Sequence, residues 1–154
     1  MTTGDERMIG LLQSDELAKS DENVQATGNG ALRILIVDDN RDSASTLSML
    51  LRRLGHQTLT AFDGEEAVAT ARGFSPEVVL LDIGLPKLNG YEVCRWIRAQ
   101  NSSHRIVIIA QTGWGQEETK QKTRDAGFDH HMVKPVDPTA LLKILNDLTK
   151  QQNP

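Results

Sequence analysis

The sequence predicts a doubly wound α/β domain, a parallel β-sheet with helices packed on both faces. Short runs rich in Val and Ile recur along the chain and are apolar on both faces, as strands buried between two helix layers must be. Amphipathic stretches with start and stop signals separate them, giving five strands that alternate with five helices. Right-handed crossovers are the expected way to join them.

The first strand is expected at Leu32–Val37, a nearly continuous apolar run ending in Asp38 and Asp39. A first helix follows over about Asp42–Leu54, with Leu47, Leu50, Leu51 and Leu54 on one face and Gly55 as its stop. His56–Ala61 is a weaker second strand. The second helix opens at Asp63, where Glu66 three residues on makes an acidic variant of a capping box before Ala67, Val68 and Ala71. The third strand, Glu77–Leu81, ends in Asp82, and a third helix covers about Gly90–Gln100. Arg105–Ala110 is the fourth strand and ends near Thr112. The fourth helix, about Gln116–Ala126, is stopped by Gly127. After a weak fifth strand at Asp129–Val133, Asp137 caps a fifth helix that has Pro138 in its first turn and Leu141, Leu142, Leu145 and Leu148 on its apolar face.

Composition narrows the function. At 154 residues, 38% of them hydrophobic, the chain holds one ordinary domain and a short appendage. Cys94 is the only cysteine, which excludes an internal disulfide framework and a cysteine-built zinc site. No apolar run approaches the roughly 20 residues needed to span a bilayer, and the start is no secretory signal. The expected location is cytoplasmic, without membrane insertion. Residues 1–30 carry two basic and six acidic groups, and the remainder carries fifteen of each. A neutral body with no basic stripe argues against direct nucleic-acid binding. The expected organisation is a flexible acidic leader at 1–30, a domain at 31–150 and a tail at 151–154.

Sheets of this class bind ligands beyond the carboxyl ends of their strands, and the polar residues that stand out fall there. Asp38 and Asp39 follow strand one, Asp82 strand three, Thr112 strand four and Lys134 strand five. Three carboxylates on one rim raise one another's pKa unless a cation neutralises them. Mg²⁺ suits such a set, because it takes one or two carboxylates and a phosphate while keeping several waters. Asp39 and Asp82 are candidate direct ligands, Asp38 one through water, and the backbone carbonyl of Gly84 a fourth. Helix capping is the competing role for Asp38 and Asp39. Asp82 is placed to attack a phosphoryl group as a carboxylate nucleophile. Lys134 and Thr112 could then stabilise the charged equatorial oxygens. Pro135, directly after Lys134, invites a cis peptide that would fix the lysine's direction.

On these residues the chain resembles the receiver domains of two-component response regulators. The matching segments are Ile34–Asn40 (ILIVDDN), Val78–Val93 (VVLLDIGLPKLNGYEV), Gln111–Gly115 (QTGWG) and Val133–Pro135 (VKP). The segment from Thr112 to Pro135 is closest in wording to the C-terminal receivers of hybrid sensor histidine kinases. The resemblance implies a single flavodoxin-like domain with strand order 2-1-3-4-5. It also implies Asp82 as phospho-acceptor, Asp38 and Asp39 as the acid pair that holds Mg²⁺, Thr112 as the switch hydroxyl and Lys134 as the phosphoryl-stabilising lysine. Pro86 and Gly90 shape the loop after the acceptor.

One position departs from the family pattern. His131 stands three residues before Lys134, where the family's switch aromatic is expected. Imidazole can fill a similar slot but titrates near neutral pH; the alternative is that His130 and His131 merely finish an exposed strand. Trp114, two residues past Thr112, is placed to cover the site. The resemblance implies a histidine kinase or histidine phosphotransfer protein as phosphodonor and a downstream target protein that reads the face of helix four, strand five and helix five, where Glu117, Glu118, Lys120 and Lys122 are candidates. Too few residues flank the domain for an output domain, so a changed surface is the expected output. The competing class is an aspartyl-phosphate phosphohydrolase of haloacid-dehalogenase type. It needs a second aspartate two residues after the nucleophile, and Gly84 stands there. A nucleotide-binding module would need a phosphate loop that the chain lacks.

Overall fold

The computed structural model describes residues 30–100, 105–113 and 117–152. The reading of residues 1–30 as a leader, apart from Gly30, and the placement of Trp114 and Gln116 lie outside the described residues, as do the side chains of Glu117 and Glu118. The described residues form five strands: β1 (Arg33–Val37), β2 (Gln57–Ala61), β3 (Val78–Asp82), β4 (Val107–Thr112) and β5 (His130–Val133). Five helices alternate with them: α1 (Arg41–Arg53), α2 (Gly64–Phe74), α3 (Gly90–Ala99), α4 (Glu117–Ala126) and α5 (Pro138–Gln152). The strands form one parallel sheet in the order β2-β1-β3-β4-β5. This is the expected flavodoxin-like topology, with every element within one or two residues of its expected bounds.

Alternation along the strands splits the core into two layers. Ile34, Ile36, Val78, Leu80 and Ile109 pack with α1 and α5, while Leu35, Val37, Val79, Leu81 and Ile108 pack with α2, α3 and α4. Burying both faces is why the central strands read as unbroken apolar runs. Cys94 lies in the second layer, donates to the Ala126 carbonyl at 3.3 Å, and burial pushes its thiol up to about 11.

Some local expectations are corrected. The buried stripe of α1 is Ala44, Ser48 and Leu51, whereas Leu54 is 49% exposed. Leu54 is the C-cap, just past the last helical residue. Ser48 is buried because its hydroxyl pairs with Thr58 at 2.6 Å. At α2, Asp63 accepts from the Glu66 N–H as a cap should, but the Glu66 carboxylate reaches one residue further back, to the Phe62 N–H. The reciprocal capping box is at α3 instead, between Asn89 and Glu92. Asp137 caps α5 as expected: its side chain accepts from Thr139 N–H at 3.0 Å and its carbonyl from Leu141 N–H at 3.0 Å.

Candidate functional site

The strand ends bring the expected acids together. Register aligns Val37 with Leu81 and Asp82 with Gln111, so Asp38 and Asp82 leave neighbouring strands side by side. Oxygen atoms of Asp38, Asp39 and Asp82 all lie within 4.8 Å of one another. Asp38 and Asp82 are buried and Asp39 is exposed. Helix capping does not account for either aspartate after β1. Asn40 is the N-cap of α1, accepting from the Ser43 N–H at 3.1 Å, and Asp38 instead accepts from the Asn40 N–H at 3.0 Å.

Lys134 reaches into this cluster. Its ammonium lies 2.7 Å from Asp82 Oδ2 and 3.3 Å from Asp38 Oδ1. The Lys134 backbone is held by a 2.7 Å bond from its N–H to the Thr112 carbonyl, and the Lys134–Pro135 peptide is cis. Burial disfavours the lysine's charge, but the Asp82 hydrogen bond and the charges of Asp82 and Asp38 outweigh it, so its pKa is raised. The pKa of Asp38 is also raised. Burial is the main cause and the Asp82 charge adds to it, against the opposing pull of the Asn40 N–H and Lys134.

The loop after Asp82 is built by close approach. Gly84 donates its N–H to Asp82 Oδ1 at 3.0 Å, which fixes the carboxylate's rotation. Gly90 passes so close beneath that a Cβ there would lie 2.6 Å from the Asp82 carbonyl oxygen and from Ile83 Cα. A Cβ on Gly84 would meet only Asp82 Oδ1, at 3.9 Å, so the position beside the Asp82 carboxylate is open.

Thr112 ends β4 on the opposite face of the sheet from Gln111. Its hydroxyl pairs with His131 Nε2 at 2.8 Å, across from β5. His131 is half-buried; burial and then the Lys120 charge push its pKa below the ordinary histidine range. His130 is exposed. Sequence reasoning missed two residues here. Asn40 had a signal, as an Asn directly before a helical stretch. Gln111, buried beside Asp82, had a weaker one: a long polar side chain inside an apolar strand run.

Comparison with known proteins fits this arrangement. Residues 34–146 match the family model of the response regulator receiver domain, and the chain belongs to that family, the receiver domains of two-component signalling. Among curated relatives, PilH of Pseudomonas aeruginosa is 40% identical over 114 residues, covering 74% of this chain and 94% of PilH. The virulence sensor protein BvgS of Bordetella pertussis is 34% identical over 122 residues, which is 76% of this chain but 10% of BvgS. The receiver domain of the sensor histidine kinase PA1611 from P. aeruginosa, solved with magnesium coordinated in its active-site cleft, superposes with a TM-score of 0.70 at 32% identity, covering 78% of this chain and 98% of that one. The receiver domain of Ssk1 from Saccharomyces cerevisiae, solved with the histidine phosphotransfer protein Ypd1, gives a TM-score of 0.73 at 26% identity, covering 79% and 91%. Receiver domains bind Mg²⁺ at an acidic site, and the three clustered carboxylates here are an all-oxygen donor set suited to that ion. Among the described residues no helix is long and apolar enough to cross a membrane.

Proposed function

We propose that this protein is a phosphorylation-dependent signalling module whose acceptor is Asp82. In this reading, an Asp82 carboxylate oxygen attacks the phosphorus of a phosphohistidine on a histidine kinase or histidine phosphotransfer protein. A P–O bond forms, the P–N bond breaks, and the imidazole leaves and takes up a proton. Gly84 N–H holds one Asp82 oxygen in place while the other faces Lys134. As the phosphoryl group arrives, the Lys134 ammonium turns from the carboxylate to a phosphoryl oxygen, and the Thr112 hydroxyl donates to another. Asp38, Asp39, Asp82 and the Gly84 carbonyl would hold Mg²⁺. Bound there, the ion offsets negative charge that the acids and the phosphoryl group would otherwise oppose.

Engagement of Thr112 draws it away from His131, and that movement is the proposed signal to a downstream protein at the α4–β5–α5 face. The protein is thus an acceptor that assists its own phosphorylation and slow dephosphorylation, not a turnover enzyme. A cytoplasmic location is part of the same proposal. The observation that supports it most is the Lys134–Asp82–Asp38 contact, which gathers three separate strand ends at one ammonium. The test is incubation with Mg²⁺ and acetyl phosphate or phosphoramidate, followed by intact mass. A gain of one phosphoryl group, lost in Asp82→Asn and on chelation of the metal, is the expected result. Rapid turnover of many phosphomonoesters would overturn it in favour of a phosphohydrolase.

A further inference from the structure

A cavity of about 570 Å³ lies between α1 and the start of α5, on the face of the sheet below Asp38 and Lys134. Its walls are apolar where Ile36, Leu47, Leu50 and Val136 contribute. Gln111 lines it from β4 and is only 3% exposed, yet among the described residues its Nε2 has no hydrogen-bond partner. A buried N–H without an acceptor is costly and uncommon in folded proteins, and Gln111, which carries this one, is among the residues that line the cavity. The exposed Asp42 carboxylate lines the same cavity, with Asp38 at the upper rim. Lys134 sets one ammonium against the two carboxylates of Asp38 and Asp82, so the charge at this rim stays negative.

The volume falls in the range of small-molecule sites, which join a largely apolar lining to a few placed polar groups. We propose that this cavity binds a small aliphatic molecule with a carbonyl group at one end and a neutral or positively charged group at the other. The carbonyl oxygen accepts from Gln111 Nε2, the aliphatic body lies against Leu47, Leu50 and Val136, and the far end faces Asp42. Anionic ligands are disfavoured by Asp38 and Asp42. Because Lys134 and Asp38 border the cavity, its occupant also alters the rate at which Asp82 takes up phosphate; that coupling rests on the phospho-acceptor reading above, whereas the binding itself does not.

The test is an NMR titration of the isotope-labelled chain with 6-aminohexanamide, with hexanamide and hexanoate as comparisons. Saturable shifts confined to the Gln111 side-chain amide, the Leu50 methyls and their neighbours are expected, at the millimolar affinity usual for so few atoms. Hexanoate should bind about tenfold more weakly, and Gln111→Leu should weaken the amide ligands by about tenfold. Leu50→Trp, which fills the cavity from α1, should abolish binding yet still gain the phosphoryl group from acetyl phosphate. Absence of saturable shifts, shifts centred elsewhere, or equal affinity in Gln111→Leu would overturn the site. So would dilution alone producing the same shifts, which would assign the cavity to a second copy of the chain. If 6-aminohexanamide binds while Asp82 labelling keeps its rate, the coupling is overturned.

Discussion

The Thr112 hydroxyl and His131 Nε2 are 2.8 Å apart, and the other ring nitrogen, Nδ1, is buried with no hydrogen-bond partner among the described residues. An imidazolium would need acceptors for both N–H groups, and the described residues offer one. Burial and the Lys120 charge oppose protonation as well. The ring is therefore held neutral, and its titration should lie below the roughly 6.5 of a free histidine. Leaving an acceptor unpaired costs less than burying an unpaired N–H, so the tautomer protonated at Nε2 is favoured. That tautomer donates to the Thr112 hydroxyl oxygen. The expected outcome is an NMR-monitored His131 midpoint below about 6.5, moving back up in Lys120→Ala, which removes the nearby positive charge. A midpoint at or above the free-histidine value would contradict the assignment. His131→Phe, which cannot bond to Thr112, should abolish any pH dependence of phosphorylation between about pH 5 and 7 that arises at this ring.

At Asp38 the proposed role in metal binding is set against stability. Its pKa is raised in the folded protein, chiefly by burial and further by Asp82. The folded state then binds more protons than the unfolded chain between the ordinary aspartate value and the raised one. Stability contributed by this group therefore falls as pH rises through that window and stays reduced above it. Asp38→Asn should remove this loss. In urea melts the variant should match or exceed the parent at about pH 7 and lose that advantage near pH 3. Mg²⁺-dependent phosphorylation should fall by at least about tenfold, as expected when one acid of a metal-binding set is removed.

The fold was legible because period and punctuation agree at each element. LRILIV, EVVLL and RIVIIA are apolar on both faces, and each ends near a polar residue that lies on the rim. The acids could be placed because strand ends of a parallel sheet converge. What could not be read depends on contacts between distant segments. Ser48 is a core residue only because Thr58 faces it, and Asp129 is a junction only because Arg98 lies 31 positions away in sequence but adjacent in space. The Asn89–Glu92 box, by contrast, has a local signature. Gln111 reads as one polar interruption until the register shows it beside Asp82.

Gly90 and Gly73 should respond to alanine in opposite directions. A methyl at position 90 would collide with the backbone of Asp82 and Ile83 at 2.6 Å, with no flexible side chain to yield. Gly90→Ala is expected to cost about 2–4 kcal/mol, in the range of overpacking and backbone strain, and to slow labelling of Asp82. Gly73 lies in α2, and a methyl added there would meet nothing within 4 Å. At that position Ala should add about 0.5–1 kcal/mol by helix propensity and a less flexible unfolded chain, leaving labelling unchanged. Denaturant melts of the two variants beside the parent check both signs.

Asp129 ties the lower edge of the sheet together. Its carboxylate accepts from Arg98 at 2.6 Å, from the Arg105 guanidinium and from the Ile108 N–H at 2.9 Å. Arg98 also donates to the carbonyls of Gly127 and Ile106, at 2.9 and 2.6 Å, so α3, β4 and the turn before β5 meet at these two side chains. The Asp129 side chain is 15% exposed and that of Arg98 27%, so neither charge is fully hydrated if its partner is lost. Arg105 is largely exposed and adds little. Asp129→Ala strands the Arg98 charge and the Ile108 N–H together and should cost about 2–4 kcal/mol. For a domain of this size that is a drop of roughly 8–15 °C in Tm. Asp129→Asn keeps an acceptor for the Ile108 N–H and should lose about half as much. Because the junction is at the end of the sheet away from Asp82, both variants should retain the parent's labelling rate at temperatures where they stay folded. A slower rate under those conditions would show that the lower edge of the sheet also governs the geometry at its upper rim.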